Sequence, residues 1–150
     1  MQITKFSDYA LRVLIHLAVA GDARLSTREI ADQQGISFTH LAKVSQWLAA
    51  EGYVTASRGR GGGMVLARDP EDVSIGALLR RSEAGSALVE CLREDGGCCA
   101  LTPACGLLPV LSGAQEAFFA YLDPKTLSDV LDGHPAMRRL VASLAEEGQA

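Results

Sequence analysis

Between positions 21 and 63 the chain is punctuated in a way that few folds accommodate: a helix, a glycine turn, a second helix, then a hairpin whose tip is mostly glycine. Ser26-Thr27-Arg28-Glu29 has the form of a capping box. In it the Ser26 hydroxyl accepts from the Glu29 amide, and the Glu29 carboxylate accepts from the Ser26 amide. The pattern predicts a helix over Thr27–Gln33 that stops at Gly35, a residue suited to the left-handed turn. Ser37 caps a second helix over Phe38–Glu51, with Leu41, Val44 and Leu48 on one face and Gly52 closing it. Tyr53–Ser57 and Met64–Ala67 read as short strands joined by Arg58-Gly59-Arg60-Gly61-Gly62-Gly63. Four glycines in those six residues permit a tight, irregular tip. Helix, turn, helix and glycine-rich hairpin in this order form a winged helix-turn-helix pattern.

The polar residues fit that pattern. Ser37, Thr39, His40 and Lys43 lie on the first turns of the second helix, away from its apolar row, and Arg28 sits in the helix before it. From there they can reach base edges and phosphates in a major groove. Arg58 and Arg60 on the hairpin can enter the adjacent minor groove or grip phosphates. Helix-turn-helix pairs also occur without DNA, and in such domains these residues form only a solvated face. Charge favours DNA once the chain is divided. The net charge of −4 conceals eight Lys and Arg against five Asp and Glu over residues 1–68, and six against thirteen over 69–150. The basic excess coincides with the helix-turn-helix.

The flanks supply the rest of a mainly α fold with a small β-hairpin wing. Phe6, Tyr9, Ala10, Val13, Leu14, Leu17 and Ala18 make the stripe of an amphipathic helix that Gly21-Asp22 ends. Asp69-Pro70 breaks the pattern, Ser74–Arg81 is helical again, and Gly85–Cys105 is irregular. Leu107, Leu111, Ala114, Phe118 and Tyr121 alternate steps of four and three, the seam of a helix lying along a near-parallel partner. Two helices over Lys125–Leu131 and Pro135–Glu147 follow. The expected organisation is a DNA-binding domain over 1–68, a connecting helix and ligand loop over 69–105, and a dimerisation helix with C-terminal helices over 106–150. A length of 150 residues suffices for one core. No run of 18 apolar residues exists, so no membrane span is expected. Lys5, Asp8 and Arg12 interrupt the first 20 residues, which argues against a signal peptide and for a cytoplasmic protein.

All four cysteines, Cys91, Cys98, Cys99 and Cys105, fall within 15 residues. A reducing compartment disfavours a disulfide framework, and the vicinal Cys98-Cys99 pair is poorly placed for a bridge. Structural zinc normally uses paired C-x2-4-C knuckles, and none is present. An iron–sulfur cluster needs thiolates on a loop that wraps it. Gly96-Gly97, Thr102 and a helix starting after Cys105 suit such a cradle. Iron–sulfur, zinc and redox-active thiols all remain open on this chemistry.

The chain resembles the winged-helix iron–sulfur repressors of the NsrR/IscR type from Met1 to about Leu131. The carriers are Phe6-Ser7-Asp8-Tyr9-Ala10, Glu51-Gly52-Tyr53-Val54, the wing Arg58-Gly59-Arg60-Gly61-Gly62, and Cys99-Ala100-Leu101-Thr102-Pro103-Ala104-Cys105. The resemblance implies Cys91, Cys99 and Cys105 as thiolate ligands, with Cys98 outside the pattern. Where some members carry a fourth-ligand His this chain has Leu108, which resembles the nitric-oxide-sensing branch. There an Asp from the partner subunit is implicated, and Asp8 stands at the matching place with Arg12 one turn on to orient it. His16 and His40 are weaker alternatives.

What the resemblance implies is a homodimeric repressor with an iron–sulfur cluster, [4Fe–4S] rather than [2Fe–2S]. It would bind double-stranded palindromic operator DNA and release it on reaction with nitric oxide. The alternatives are a redox or cluster-status regulator on the same scaffold and a zinc- or thiol-based redox repressor. No carboxylate pair, nucleophile–base set or phosphate loop stands out, so no enzyme is expected.

Overall fold

Most of the molecule is packed round helix α1 (Lys5–Ala20), which touches the helix-turn-helix on one side and the C-terminal helices on the other. This computed structural model describes residues 2–57, 59 and 61–147, without the side chains of 146 and 147. Thr4 caps α1 by accepting from the Ser7 amide, and Ala10, Val13, Leu14 and Leu17 have no exposed surface. Burying each of the larger ones is worth about 1.5–3 kcal/mol.

Helix α2 (Thr27–Gln34) carries both halves of the expected capping box. It ends at Gly35, whose φ of 61° and ψ of 31° are left-handed, and whose amide returns to Ala31 and Asp32. Helix α3 (Phe38–Ala50) follows at once. Ser37 occupies its N-cap position, but the hydroxyl makes no capping bond. The expected Ser37 cap is therefore positional only, and the hydroxyl stays exposed. The far end of α3 is held by Arg68, which donates to the Gly52 and Glu51 carbonyls at 2.9 and 3.1 Å and lies 4.8 Å over the Tyr53 ring.

Strands β1 (Val54–Ser57) and β2 (Gly63–Leu66) pair antiparallel, Val54 opposite Leu66 and Ser57 opposite Gly63. Leu25 adds a separate rung, an isolated bridge, by exchanging two backbone bonds with Met64. That rung fastens the hairpin to the start of the helix-turn-helix. Phe6 meets Trp47 edge to face and Trp47 stacks on Tyr53, with centroids 5.4 and 6.2 Å apart, which joins α1, α3 and the hairpin base.

Beyond the wing come α4 (Ile75–Ser82), α5 (Leu107–Leu122), α6 (Leu127–Asp132) and α7 (Pro135–Glu147). Arg80 clamps α4 to α5, donating to Glu116 at 2.8 and 2.5 Å and to Asp123 at 2.9 Å. Those bonds hold both carboxyls below their ordinary range and keep Arg80 fully charged. Leu78, Leu127 and Leu131 continue the core, and α7 folds back on α1 and α2 with Val141 buried. The stripe expected for a helix partner is not uniformly exposed. Leu111 and Phe118 are half-buried within the chain, whereas Leu107, Val110, Ala114, Ala117 and Tyr121 are exposed. A 3.5-residue period runs from 107 to 121 by either order of threes and fours, and the chain's own core takes the Phe118–Phe119 side. No helix among the described residues is long and apolar enough to cross a membrane.

Candidate functional site

The recognition face is built by burial. Leu41, Val44, Ser45 and Leu48 turn α3's inner side into the core, which leaves Thr39, His40 and Lys43 exposed on the outside, beside Ser37. Gln46 continues that face one turn after Lys43. The apolar-row reading did not single it out, although its spacing could have. Arg28 is exposed, and its guanidinium sits 4.5 Å over the ring of Phe38, itself 42% exposed at the start of α3. A cation stacked on an aromatic face keeps its edge donors free for an oxygen acceptor. The wing arginines Arg58 and Arg60 lie outside the described residues. Arg24 was missed by sequence reasoning, because only the Leu25–Met64 rung brings it to the wing, where it donates to the Ser57 hydroxyl at 2.9 Å.

Asp8 lies in the first turn of α1, two-fifths exposed, and pairs with Arg12 at 2.8 and 3.2 Å. In isolation such an i,i+4 pair is worth only a few tenths of a kcal/mol, about 0.3–0.5. Here it continues inward. Arg12 donates to Gln34 Oε1 at 3.3 Å, which fixes the amide orientation, so Gln34 Nε2 donates to His16 Nε2 at 2.7 Å. His16 is 1% exposed, and burial lowers its pKa. His16, the weaker alternative ligand, is thus a core residue whose Nε2 is engaged by Gln34. His40, the other alternative, stands on the exposed recognition helix. The Asp8–Arg12–Gln34–His16 chain thus passes through the last residue of α2, directly before the Gly35 turn.

The N-terminus of α1 is tied to the end of α4 by a second cluster. Glu83, 8% exposed, accepts from the Thr4 amide and hydroxyl at 2.8 Å each and from the Ser7 hydroxyl. Burial alone would raise its pKa, but the bonds from Ser7, Thr4 and Ser86 outweigh that, and the net shift is downward. Nothing in the local sequence signals this carboxylate. Its partners lie 76 and 79 positions away.

The loop that α4 feeds carries the thiols. A 3-10 turn holds Glu90–Leu92, Gly96 and Gly97 adopt φ of 74° and 60°, and a second 3-10 turn holds Thr102–Ala104. Gly97 is required twice over, since a Cβ there would also meet the Glu90 carbonyl oxygen at 2.6 Å. Glu90 then accepts from the Cys98 amide at 2.9 Å, which pins the middle of the loop. All four cysteines are free; Cys91, Cys99 and Cys105 are half-buried and Cys98 is exposed. Among the described residues no three His, Cys, Asp or Glu side chains are gathered closely enough to hold a metal ion. Asp8 and the three cysteines thus stand on two separate elements of one chain, without a shared contact. The donor chemistry nevertheless suits an iron–sulfur group: soft free thiols on a glycine-bearing loop, with the first turn of α5 starting two residues after Cys105.

The Rrf2 family, described as iron-dependent transcriptional regulators, matches residues 3–133. The chain is 46% identical over 133 residues to the HTH-type transcriptional repressor NsrR of Streptomyces coelicolor, covering 87% of this chain and 88% of the relative. It is 42% identical over 142 residues to the HTH-type transcriptional regulator NsrR of Bacillus subtilis, covering 94% and 97%. Among solved structures, T. potens IscR superposes with a TM-score of 0.68 at 26% identity, covering 89% of this chain and 88% of that one.

Proposed function

The chain belongs to the Rrf2 family of iron-dependent transcriptional regulators, and from that premise we propose that it is a homodimeric, nitric-oxide-responsive repressor controlled by an iron–sulfur cluster. The observation that carries the proposal is the loop of free thiols, three of them half-buried, joined through α4 and Glu83 to the helix that bears Asp8. Cys91, Cys99 and Cys105 would hold a [4Fe–4S] cluster, and Asp8 of the partner subunit would complete it. The protein would act in the cytoplasm, where its thiols stay reduced. When bound, the cluster supplies iron at which nitric oxide reacts, with carboxylate as the ligand least suited to a soft site.

The remaining work falls to the chain's own residues. Arg12 holds the Asp8 carboxylate in one orientation and transmits its position to Gln34, so α1 and the Gly35 turn move together. Leu107, Val110, Ala114, Ala117 and Tyr121 give two copies of α5 an apolar seam to share. A two-fold axis along that seam would set both α3 helices on successive major grooves of a palindromic operator with half-sites about one helical turn apart. Thr39, His40, Lys43 and Gln46 would read or grip the groove, while Arg28, Arg58 and Arg60 reach phosphates and the flanking minor groove.

The test is anaerobic purification with iron and acid-labile sulfide quantitation, followed by operator binding of loaded and stripped protein. Iron and sulfide in equal amounts, with tight binding by the loaded form alone, are expected. Zinc without sulfide, or equal binding by both forms, would contradict the proposal.

A further inference from the structure

Within the cysteine loop one polar group has no role in holding the loop itself. Thr102 opens the second 3-10 turn, its amide donating to the Cys99 carbonyl at 3.1 Å and its carbonyl accepting from the Cys105 amide at 3.4 Å. Its backbone therefore bridges two thiol-bearing residues directly. Its hydroxyl is buried and has no hydrogen-bond partner among the described residues. A threonine in a turn usually satisfies its hydroxyl on a nearby carbonyl. A buried hydroxyl left unmade carries a desolvation penalty. The following residue is Pro103, which offers no amide to occupy the hydroxyl oxygen.

We infer that the Thr102 hydroxyl is a hydrogen-bond donor held for a sulfur of the group bound by this loop, either a Cys99 or Cys105 thiolate or an inorganic sulfide. The inference rests on the iron–sulfur reading above. Thiolate and sulfide accept without donating, so they complement a hydroxyl whose proton has no other acceptor. A donor aimed at sulfur favours the more negative state of the cluster, which holds the metal more firmly and raises its reduction potential.

Two variants test it. Thr102→Val keeps the shape and removes the hydroxyl; Thr102→Ser restores it. In the stripped protein Thr102→Val is expected to unfold at the same denaturant concentration as wild type or a higher one, because an unpaired buried group has been removed. In the loaded protein it is expected to lose iron to a chelator about tenfold faster, the equivalent of one hydrogen bond. Its iron–sulfur stretching bands should shift and its reduction potential should fall. Thr102→Ser should recover the wild-type bands and chelation rate. Unchanged bands and chelation rate in Thr102→Val would overturn the inference while leaving the cluster reading intact. So would a destabilised stripped Thr102→Val protein with normal bands, which would mark a purely structural residue. A wild-type protein that takes up iron without sulfide, or neither, would overturn both.

Discussion

Glu83 is the residue whose removal the structure prices most directly. Its carboxylate receives the Thr4 amide, the Thr4 hydroxyl and the Ser7 hydroxyl, and so fastens the start of α1 to the end of α4. Hydrogen bonds to a charged group contribute about 1.5–3 kcal/mol each, but they are not additive here. In Glu83→Ala the Thr4 and Ser7 hydroxyls, 3.1 Å apart, can bond each other, which strands only the Thr4 amide. The expected loss is about 2–4 kcal/mol, one charged bond plus one buried unpaired donor. Glu83→Gln keeps an acceptor and should lose about 1–2 kcal/mol. The two variants differ from wild type in acid as well. Because the folded pKa lies below its ordinary 4.5, Glu83 adds stability above that value and loses it as pH falls through the folded pKa. The gap between wild type and Glu83→Gln should therefore be full at neutral pH and close progressively below about pH 4.5. Urea denaturation at fixed protein concentration across that range measures both effects. A Glu83→Ala loss under about 0.5 kcal/mol, or a gap that stays constant with pH, would refute the reasoning.

Three further outcomes are expected. A heterodimer of an Asp8→Ala protomer with a Cys99→Ser protomer should retain one wild-type cluster per dimer, since both defects fall on the same shared site; iron content near zero would place Asp8 and the cysteines in one subunit. Ala114→Glu sets a carboxylate on the exposed seam of α5 without touching the core. Sedimentation should show dimer dissociation strengthened at least about tenfold, and an unchanged dimer would move the interface elsewhere. Lys43→Ala should weaken operator binding evenly across related sequences and reduce the salt slope by about one; an unchanged slope in fluorescence anisotropy would remove Lys43 from the phosphate contacts.

The helix-turn-helix was readable because its signals are local. The Ser26–Glu29 box, Gly35 and the glycine-rich tip each act within a few residues, and the observed elements differ from expectation by one residue at most at their ends. The Leu25–Met64 rung on the wing was not readable, because Leu25 contributes a single bridge and no strand pattern. The two polar networks were hidden for a different reason. Glu83 meets Thr4, and Gln34 meets His16, only after the helices pack, and no periodicity records such pairs. Asp8–Arg12 was visible at i,i+4, but its continuation into the α2 terminus was not. The apolar stripe of α5 could be drawn in two ways from sequence, and burial of Phe118 and Phe119 shows which side the chain's own core takes. The thiols were conspicuous, yet their chemistry came from a resemblance and not from their spacing.

The central claim is that the state of the thiol loop governs DNA binding. It is tested most directly by titrating anaerobic, cluster-loaded dimer with nitric oxide while recording its visible absorption and operator anisotropy in the same cuvette. Absorption bleaching and operator release should proceed together, with affinity falling about 30- to 150-fold, the upper range of an allosteric coupling of about 2–3 kcal/mol. Complete bleaching with the operator still bound at its original affinity would contradict the account.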